Sequence, residues 1–259
     1  MKFNLQKFYK QNKRDGLPWR KTKDSYRILV SEVMLQQTQV SRVLVKYKEF
    51  IKKFPTAKSL AGAQLRDVLV LWQGLGYNRR AKFLYQAAQR LAHATKKELQ
   101  SYDFYTSLPG VGQSTAGAVL VFSTDKPTVF IETNIRAVIL HHFFKDKENI
   151  DDKEIWVILE KLLKQLPADF GPRDFYYALY DYGSELKQKL GKQKTKLHQK
   201  SKHYSKQSKF PGSHRQLRAF VLQVALGTKT MKDMPLSLKD YTKKDVLLVK
   251  KKLRSEGLL

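Results

Sequence analysis

The chain has 259 residues, of which 42% are apolar, and it carries 14 Phe, 13 Tyr and 3 Trp. That length and composition allow one large domain or two small ones, and they exclude a chain that is disordered throughout. The absence of cysteine excludes disulfide bonds, thiolate nucleophiles and any zinc or iron–sulfur centre with cysteine ligands.

The charge of the chain predicts a polyanionic partner. Lysine and arginine number 50 against 23 aspartate and glutamate residues, which gives a formal net charge of +27. Nucleic acid is the favoured partner, because phosphate contacts release counterions and dominate affinity. A membrane surface is the alternative, and it is disfavoured because no segment combines an aromatic face with a lysine face.

The sequence shows no targeting or spanning segment. Residues 1–10 contain Lys2, Lys7 and Lys10 and no apolar run, which is unlike a secretory signal. No stretch approaches the roughly 18 apolar residues of a membrane-spanning helix. We therefore expect a soluble intracellular protein of the cytoplasm or nucleoid, with no membrane partner.

Apolar residues recur at helical spacing along most of the chain. We predict helices over residues 25–39, 43–51, 61–72, 81–91, 113–122, 134–144, 152–166 and 174–190. Residues 128–131 have an extended character, but they are too few and too isolated to form a sheet. The predicted fold class is therefore all-α.

The C-terminal part of the chain differs in composition. From Lys187 to Lys209 there are many lysines, no acidic residue and few large apolar residues, so residues 187–212 are predicted to be a solvated basic connector of the kind that is often disordered without its ligand. Helices are predicted over residues 214–226 and 242–256, the second after a capping box of Thr242 with Asp245. Residues 213–259 thus form a small helical extension.

A glycine-rich turn precedes the helix predicted at residue 113. Residues 108–117 read Leu-Pro-Gly-Val-Gly-Gln-Ser-Thr-Ala-Gly, in which Gly110 and Gly112 bracket Val111. Glycine permits positive φ in such a turn, and the free N–H groups of the following helix point at an anion. The alternative is an ordinary corner between two helices. The motif closely matches the hairpin of helix-hairpin-helix proteins, which binds a DNA phosphate.

Four motifs in order resemble those of MutY-like adenine DNA glycosylases. They are Leu-Pro-Trp-Arg at residues 17–20, Ser-Glu-Val-Met-Leu-Gln-Gln-Thr-Gln-Val at 31–40, Gly-Leu-Gly-Tyr at 74–77 and the hairpin. The resemblance extends from residue 17 to residue 184. It implies an enzyme that flips a mispaired adenine out of the duplex and excises it.

The resemblance also implies a two-lobed helix-hairpin-helix glycosylase fold that holds DNA in a cleft. One lobe would be a six-helix barrel over residues 23–130, with the hairpin at 108–120. The other would combine residues 1–22 with residues 131–190. The expected partner is double-stranded DNA with a mismatched or damaged base, and the protein is expected to be a monomer.

Two carboxyl groups and an asparagine carry the implied chemistry. Glu32 lies on an otherwise apolar helix, where its pKa should rise and let it protonate the adenine ring. Glu132 stands where the family carries an aspartate that stabilises positive charge on the sugar, and it reaches about one methylene further. Asn134 resembles the asparagine that hydrogen-bonds this carboxylate. The alternatives are a solvated Glu32, a Glu132 that only complements the next helix, and an Asn134 that only caps it.

Ser114 determines the predicted reaction type. Related bifunctional enzymes place a lysine here, which forms a Schiff base and cuts the strand, whereas a hydroxyl cannot. The resemblance further assigns DNA contacts to Gln36, Gln37, Tyr77, Arg79, Arg80, Gly110, Val111, Gly112, Ser114 and Thr115, and a base pocket to Arg14, Trp19 and Tyr177. Of these, Gln37 and Tyr77 resemble residues that wedge into the base stack.

The chain departs from the family pattern in two further places. The stretch from residue 187 to residue 209 replaces the four cysteines of an iron–sulfur cluster, so no cofactor is expected and the lysines are predicted to contact phosphate instead. The extension is helical where many relatives carry a β-rich domain that recognises 8-oxoguanine. A mismatch glycosylase for thymine or uracil opposite guanine, and a catalytically weak DNA-binding protein, remain as alternatives. The sequence leaves open whether a monovalent cation binds at the hairpin.

Overall fold

The computed structural model describes residues 4–204 and 209–259. Its described part is all-α, as predicted, and contains no β-strand. The helices are α1 Leu5–Asn12, α2 Ser25–Leu35, α3 Val40–Lys53, α4 Ala57–Ala61, α5 Leu65–Leu71, α6 Arg79–Leu91, α7 Tyr102–Thr106, α8 Gln113–Thr124, α9 Thr133–Phe143, α10 Asp152–Lys164, α11 Pro172–Leu190, α12 Lys194–Gln199, α13 His214–Ala225 and α14 Lys243–Ser255. None of these helices is long and apolar enough to cross a bilayer.

The described residues form two compact units. The first unit contains residues 4–28, 96–107 and 111–204, and the second contains residues 29–95, 108–110 and 209–259. Helix α2 therefore begins in the first unit and ends in the second. The lobe boundaries inferred from the sequence, 23–130 and 1–22 plus 131–190, stay a prediction.

In the first unit, α9 and α11 pack against each other, and α1 packs on α11. These helices contact their neighbours closely at positions that are occupied by glycine. At Gly183 of α11, a Cβ atom would lie 2.6 Å from the backbone oxygen of Asn134 at the start of α9. At Gly117 of α8, a Cβ atom would lie 2.6 Å from the Cβ atom of Phe130. Both contacts are shorter than two packed carbon or oxygen atoms allow, so these glycines permit the observed packing.

In the second unit, α4 packs on α6, and α13 packs on α14. The helix predicted over residues 61–72 corresponds to α5, but it starts later than predicted because α4 ends at Ala61. A capping box of Thr56 and Ser59 starts α4, Gly62 ends it, and α5 begins at Leu65. The capping box of Thr242 and Asp245 opens α14 as predicted.

The predicted connector is folded as far as the structure describes it. Helix α11 continues to Leu190, and α12 follows with Leu197 buried. The backbone of Ile150 then bonds to Lys200 and Lys202 in an isolated parallel bridge. Most residues between 187 and 204 are exposed, so this segment is folded and still solvated, and its role as a connector stays a prediction. Residues 205–208 lie outside the described residues.

Candidate active site and nucleic-acid interface

Glu32 lies on α2, in the part of that helix that belongs to the second unit. Its neighbours Ser31, Val33 and Met34 are buried, with exposed fractions of 1%, 4% and 0%. The Glu32 side chain itself is partly exposed. The Glu32 carboxyl is thus carried by a helix whose adjoining residues are buried.

The end of α2 is held by Arg80, and this corrects the prediction that Arg80 contacts DNA. The side chain of Arg80 is buried. One terminal nitrogen donates to the carbonyl oxygens of Val33, Met34 and Gln36, at 2.7, 3.1 and 2.5 Å. The other donates to the carbonyl oxygens of Leu75 and Gly76, both at 3.0 Å. Burial lowers the pKa of Arg80 to about 10. This guanidinium joins the C-terminal end of α2 to the 74–77 turn and has a structural role.

Gln37 and Tyr77, the two predicted wedge residues, share a backbone conformation that is uncommon for their residue types. Their φ angles are +54° and +49°, in the left-handed region that disfavours side chains larger than glycine. Gln37 is exposed, and 39% of Tyr77 is exposed. Both residues line one concave surface of the second unit, and their role as wedges stays a prediction. Gln36 is partly buried beside them.

Arg79 differs from its neighbour Arg80. Its side chain is 61% exposed, and its guanidinium lies 5.4 Å from the ring centre of Phe83. Its nearest carboxylate contact, to Glu256, is 4.0 Å. Arg79 therefore stays a candidate for phosphate contact.

The hairpin has the backbone geometry that its glycines predict. Gly110 has a φ of +73°, and a Cβ atom there would lie 2.5 Å from the Cβ atom of Phe83. Gly112 is the N-cap of α8 and supplies no side chain to the first N–H groups of that helix. Val111 is buried, and Ser114 and Thr115 in the first turn are partly exposed. Backbone N–H groups at the start of a helix can hold an anion, so the start of α8 stays a candidate phosphate site.

Ser114 also borders a cavity within the first unit. This cavity has a volume of ≈ 630 Å³, and its wall includes Phe130, Ile131, Asp152 and Trp156. Serine rather than lysine stands at position 114, and Lys153 also lines this cavity.

Glu132 is the N-cap of α9, which the sequence analysis treated as the alternative to a catalytic role. One carboxylate oxygen accepts hydrogen bonds from the backbone N–H groups of Asn134 and Ile135, at 2.7 and 3.1 Å. The other oxygen lies 3.4 Å from the side-chain nitrogen of Asn134. The cap is therefore Glu132 and not Asn134, and the predicted Asn134 contact to the carboxylate is present. A carboxylate that is fixed by three donors is preorganised and can stabilise a nearby positive charge.

The electrostatic surroundings of Glu132 come mainly from its own helix and from α11. Burial raises the pKa of the Glu132 carboxyl, while the Lys187 ammonium and the N–H donors of residues 134 and 135 oppose that rise. Burial also lowers the pKa of the Lys187 ammonium, and Glu132 opposes this change. Lys187 lies one helical turn after Gly183, the residue that lets α11 approach Asn134. The close approach of the two helices thus pairs the two groups.

The three predicted base-pocket residues, Arg14, Trp19 and Tyr177, all lie in the first unit. Tyr177 is 3% exposed, and its ring stacks on Phe122 with the centres 4.1 Å apart, while the Arg20 guanidinium lies 4.4 Å from its centre. Trp19 is also 3% exposed, and Arg14 forms an ion pair with Asp181. The assignment of Arg14, Trp19 and Tyr177 to a base pocket stays a prediction, and the structure buries the side chains of Trp19 and Tyr177.

A model of the HhH-GPD superfamily base excision DNA repair proteins matches residues 30–165, more than half of the chain. The chain belongs to the HhH-GPD superfamily. The match includes Glu32, the hairpin and Glu132, which are the features built from the residues above.

Relatives of this HhH-GPD protein are named adenine DNA glycosylase. That of Buchnera aphidicola subsp. Baizongia pistaciae is 37% identical over 172 residues, which cover 66% of this chain and 48% of the relative. That of Mycobacterium tuberculosis (strain H37Rv) is 40% identical over 138 residues, which cover 52% and 45%. The chain thus spans about half the length of these relatives.

Solved structures support the HhH-GPD fold. A thermostable thymine-DNA glycosylase matches with a TM-score of 0.58 and 24% identity, over 70% of this chain and 82% of the other. A non-covalent complex of endonuclease III with DNA matches with a TM-score of 0.53 and 18% identity, over 68% and 81%. At these identities the likeness concerns the fold alone.

Sequence reasoning about this HhH-GPD chain missed Asp181, Arg20 and Lys187. Asp181 is an acid among the buried aromatic residues of α11, which is the same signal that drew attention to Glu32 on α2. Arg20 stood inside a quoted motif without a role. Lys187 had no signal of its own, because its partner Glu132 lies 55 positions earlier in the chain.

Proposed function

We propose that this protein is a monofunctional adenine DNA glycosylase that hydrolyses the N-glycosidic bond of adenine opposite guanine or 8-oxoguanine. One observation carries the proposal. The segment that is 34–40% identical to several proteins named adenine DNA glycosylase contains Glu32 on an apolar helix and Glu132 fixed by Asn134 and Ile135. The reaction would be one step of base excision repair, the process named for the superfamily.

In the proposed mechanism, Glu32 in its neutral form donates a proton to a ring nitrogen of adenine. The bond between C1′ and the base then breaks, and its electron pair leaves with the protonated base. The sugar becomes positively charged, and the carboxylate of Glu132 stabilises that charge. Water adds to C1′ and loses a proton, which leaves free adenine and an abasic site.

Ser114 supports a reaction without strand cleavage. Cleavage by the Schiff-base route needs an amine at C1′, and a serine hydroxyl forms no imine. Borohydride would therefore trap no covalent complex with DNA.

The proposed substrate is double-stranded DNA bound by a monomer without a cofactor. The uncapped start of α8 would hold one phosphate, with Ser114 and Thr115 beside it. Gln37 and Tyr77 would enter the base stack, since their turns present them at the surface. Arg79 would contact phosphate, and the net charge of +27 would make affinity strongly dependent on salt.

The test is a single-turnover cleavage assay on duplexes with A opposite G, A opposite 8-oxoguanine, T opposite G and U opposite G, with alkali to reveal abasic sites. Glu32→Gln should lower the rate of adenine release by about 10²- to 10⁴-fold. Glu49→Gln on α3 removes an exposed carboxyl and should leave the rate unchanged. Release of only thymine or uracil would contradict the adenine assignment. Tight binding without release of any base would favour the DNA-binding alternative.

A further inference from the structure

A concave surface of the second unit is built partly by the C-terminal extension. Its volume is ≈ 730 Å³. The turns that carry Gln37 and Tyr77 form one side, and α13 with its flanking residues forms the other. We call it the extension groove. Its side chains include Gln37, Gln39, Arg42, Gln73, Tyr77, Asn78, Phe210, Arg215, Gln216, Gln223 and Lys229.

The chemistry of the extension groove is that of a nucleotide site. Arg42, Arg215 and Lys229 supply positive charge, and no acidic residue occurs among the described residues that line it. Tyr77 and Phe210 are 39% and 50% exposed, so each offers aromatic surface. The amide side chains along the wall can both donate to and accept from a base edge. Aromatic rings take bases by stacking, and arginine and lysine take phosphate.

Arg215 connects the two sides of the groove. A terminal nitrogen of Arg215 donates to the hydroxyl oxygen of Tyr77 at 2.8 Å, and the guanidinium lies 5.9 Å from the ring centre of Phe210. Tyr77 has a left-handed backbone conformation, so its ring direction is set by the turn and by this hydrogen bond. The extension therefore positions one of the two proposed wedge residues.

The extension is fixed to the rest of the second unit by polar contacts outside the groove. Arg66 donates to the carbonyl oxygen of Leu226 at 3.1 Å. Lys82 donates to the backbone carbonyl of Glu256, and within the extension the Glu256 carboxylate pairs with Arg218 of α13. The groove is thus a preformed feature of this unit, which lowers the entropic cost of binding.

We propose that the extension groove binds the unpaired nucleotide that faces the excised adenine, and that Arg215 is its positioning and phosphate-binding residue. The inference rests on the proposed function, because removal of adenine leaves its partner nucleotide without a base pair. The base would stack on Tyr77 and Phe210, and its phosphate would contact Arg215 and Lys229. An acidic peptide would use the charge of the groove but neither its aromatic surface nor its amides.

The test uses a duplex in which a tetrahydrofuran abasic-site analogue faces 2-aminopurine. Binding of the wild-type protein should raise the fluorescence, because the base leaves the DNA stack. Arg215→Ala should abolish that rise and weaken binding by about 5- to 10-fold. Arg254→Ala removes an exposed arginine of α14 and should keep the rise. This duplex contains no cleavable adenine at the site, so a protein that fails the excision assay can still pass this one.

A second variant separates positioning from simple charge. Tyr77→Phe keeps the ring and removes the hydroxyl acceptor, so Arg215→Ala in that background should weaken binding less than in the wild type. Thermal melting of each variant monitored by circular dichroism should match the wild type. Equal effects of Arg215→Ala and Arg254→Ala, a fluorescence rise that survives Arg215→Ala, or competition by polyglutamate as strong as by an oligonucleotide would each overturn the proposal.

Discussion

The two units bury a guanidinium in different ways. In the first unit, Arg20 forms a two-point ion pair with Asp181, with both nitrogen–oxygen distances at 2.7 Å and exposed side-chain fractions of 6% and 3%. In the second unit, Arg80 is instead buried against backbone carbonyls and the hydroxyl of Thr38. Burial opposes the charge of Arg20, but Asp181 keeps its pKa above the ordinary value. Burial lowers the pKa of Arg80 to about 10.

The difference shows that each arginine stabilises segments of its own unit. Arg80 gathers carbonyls at the end of α2, the helix of Glu32, and at the turn of Tyr77. Arg20 and Asp181 instead join α11 to the segment before α2, and Arg14 adds a second charge to Asp181. A defect at Asp181 leaves buried positive charge, whereas a defect at Arg80 leaves neutral carbonyls without donors. The defect at Asp181 should therefore lower the free energy of unfolding more than the defect at Arg80.

The largest effect on stability is expected for Asp181→Asn. The amide keeps the size of the side chain but leaves Arg20 buried without its counter-charge, so the free energy of unfolding should fall by about 3–5 kcal/mol. Urea unfolding followed by tryptophan fluorescence measures it. Asp169→Asn in the same unit breaks an exposed ion pair with Lys10 and should leave the midpoint unchanged. Equal shifts for the two variants would show that the buried pair contributes no more than an exposed one.

A smaller loss is expected for Arg80→Met. Methionine fills much of the volume but donates no hydrogen bond, so several carbonyls lose their donor and the free energy of unfolding should fall by about 2–4 kcal/mol. Arg79→Met, one residue earlier, is the matched control. It should leave the urea midpoint unchanged and reduce the salt dependence of DNA affinity, with a slope smaller by about one. The reverse pattern would contradict the separate roles of the two neighbours.

Local signals predicted much of the fold and part of the site. Apolar periodicity gave most helices, because burial of one face leaves a mark within each segment. The glycines of the hairpin were predictive, since positive φ at Gly110 is a local requirement. Asn134 was linked to Glu132 correctly because the two residues are only two positions apart.

Contacts between distant residues were beyond the sequence. In the sequence Arg80 cannot be distinguished from its exposed neighbour Arg79. Its structural role depends on carbonyl oxygens that lie 44–47 positions earlier in the chain. Tyr177 is enclosed by Phe122 and Arg20, which come from other helices and segments. The composition of the lysine-rich stretch after residue 187 did not reveal a folded segment, since composition reports average solvation and not which residues, here Leu197 and Ser201, are buried.

The smallest expected effect is a shift in pH dependence caused by Lys187→Met. Glu132 must be ionised to stabilise the sugar cation, and its pKa is already raised by burial. Lys187 lowers that pKa, so loss of the ammonium raises it further, and a smaller fraction of Glu132 is ionised at a given pH. The acidic limb of the single-turnover rate of adenine release should therefore move to higher pH, with the rate recovering as pH rises. Lys189→Met removes an exposed lysine of the same helix and should leave the limb in place. An acidic limb that stays fixed in Lys187→Met would mean that α11 contributes packing, and not charge, to the catalytic carboxylate.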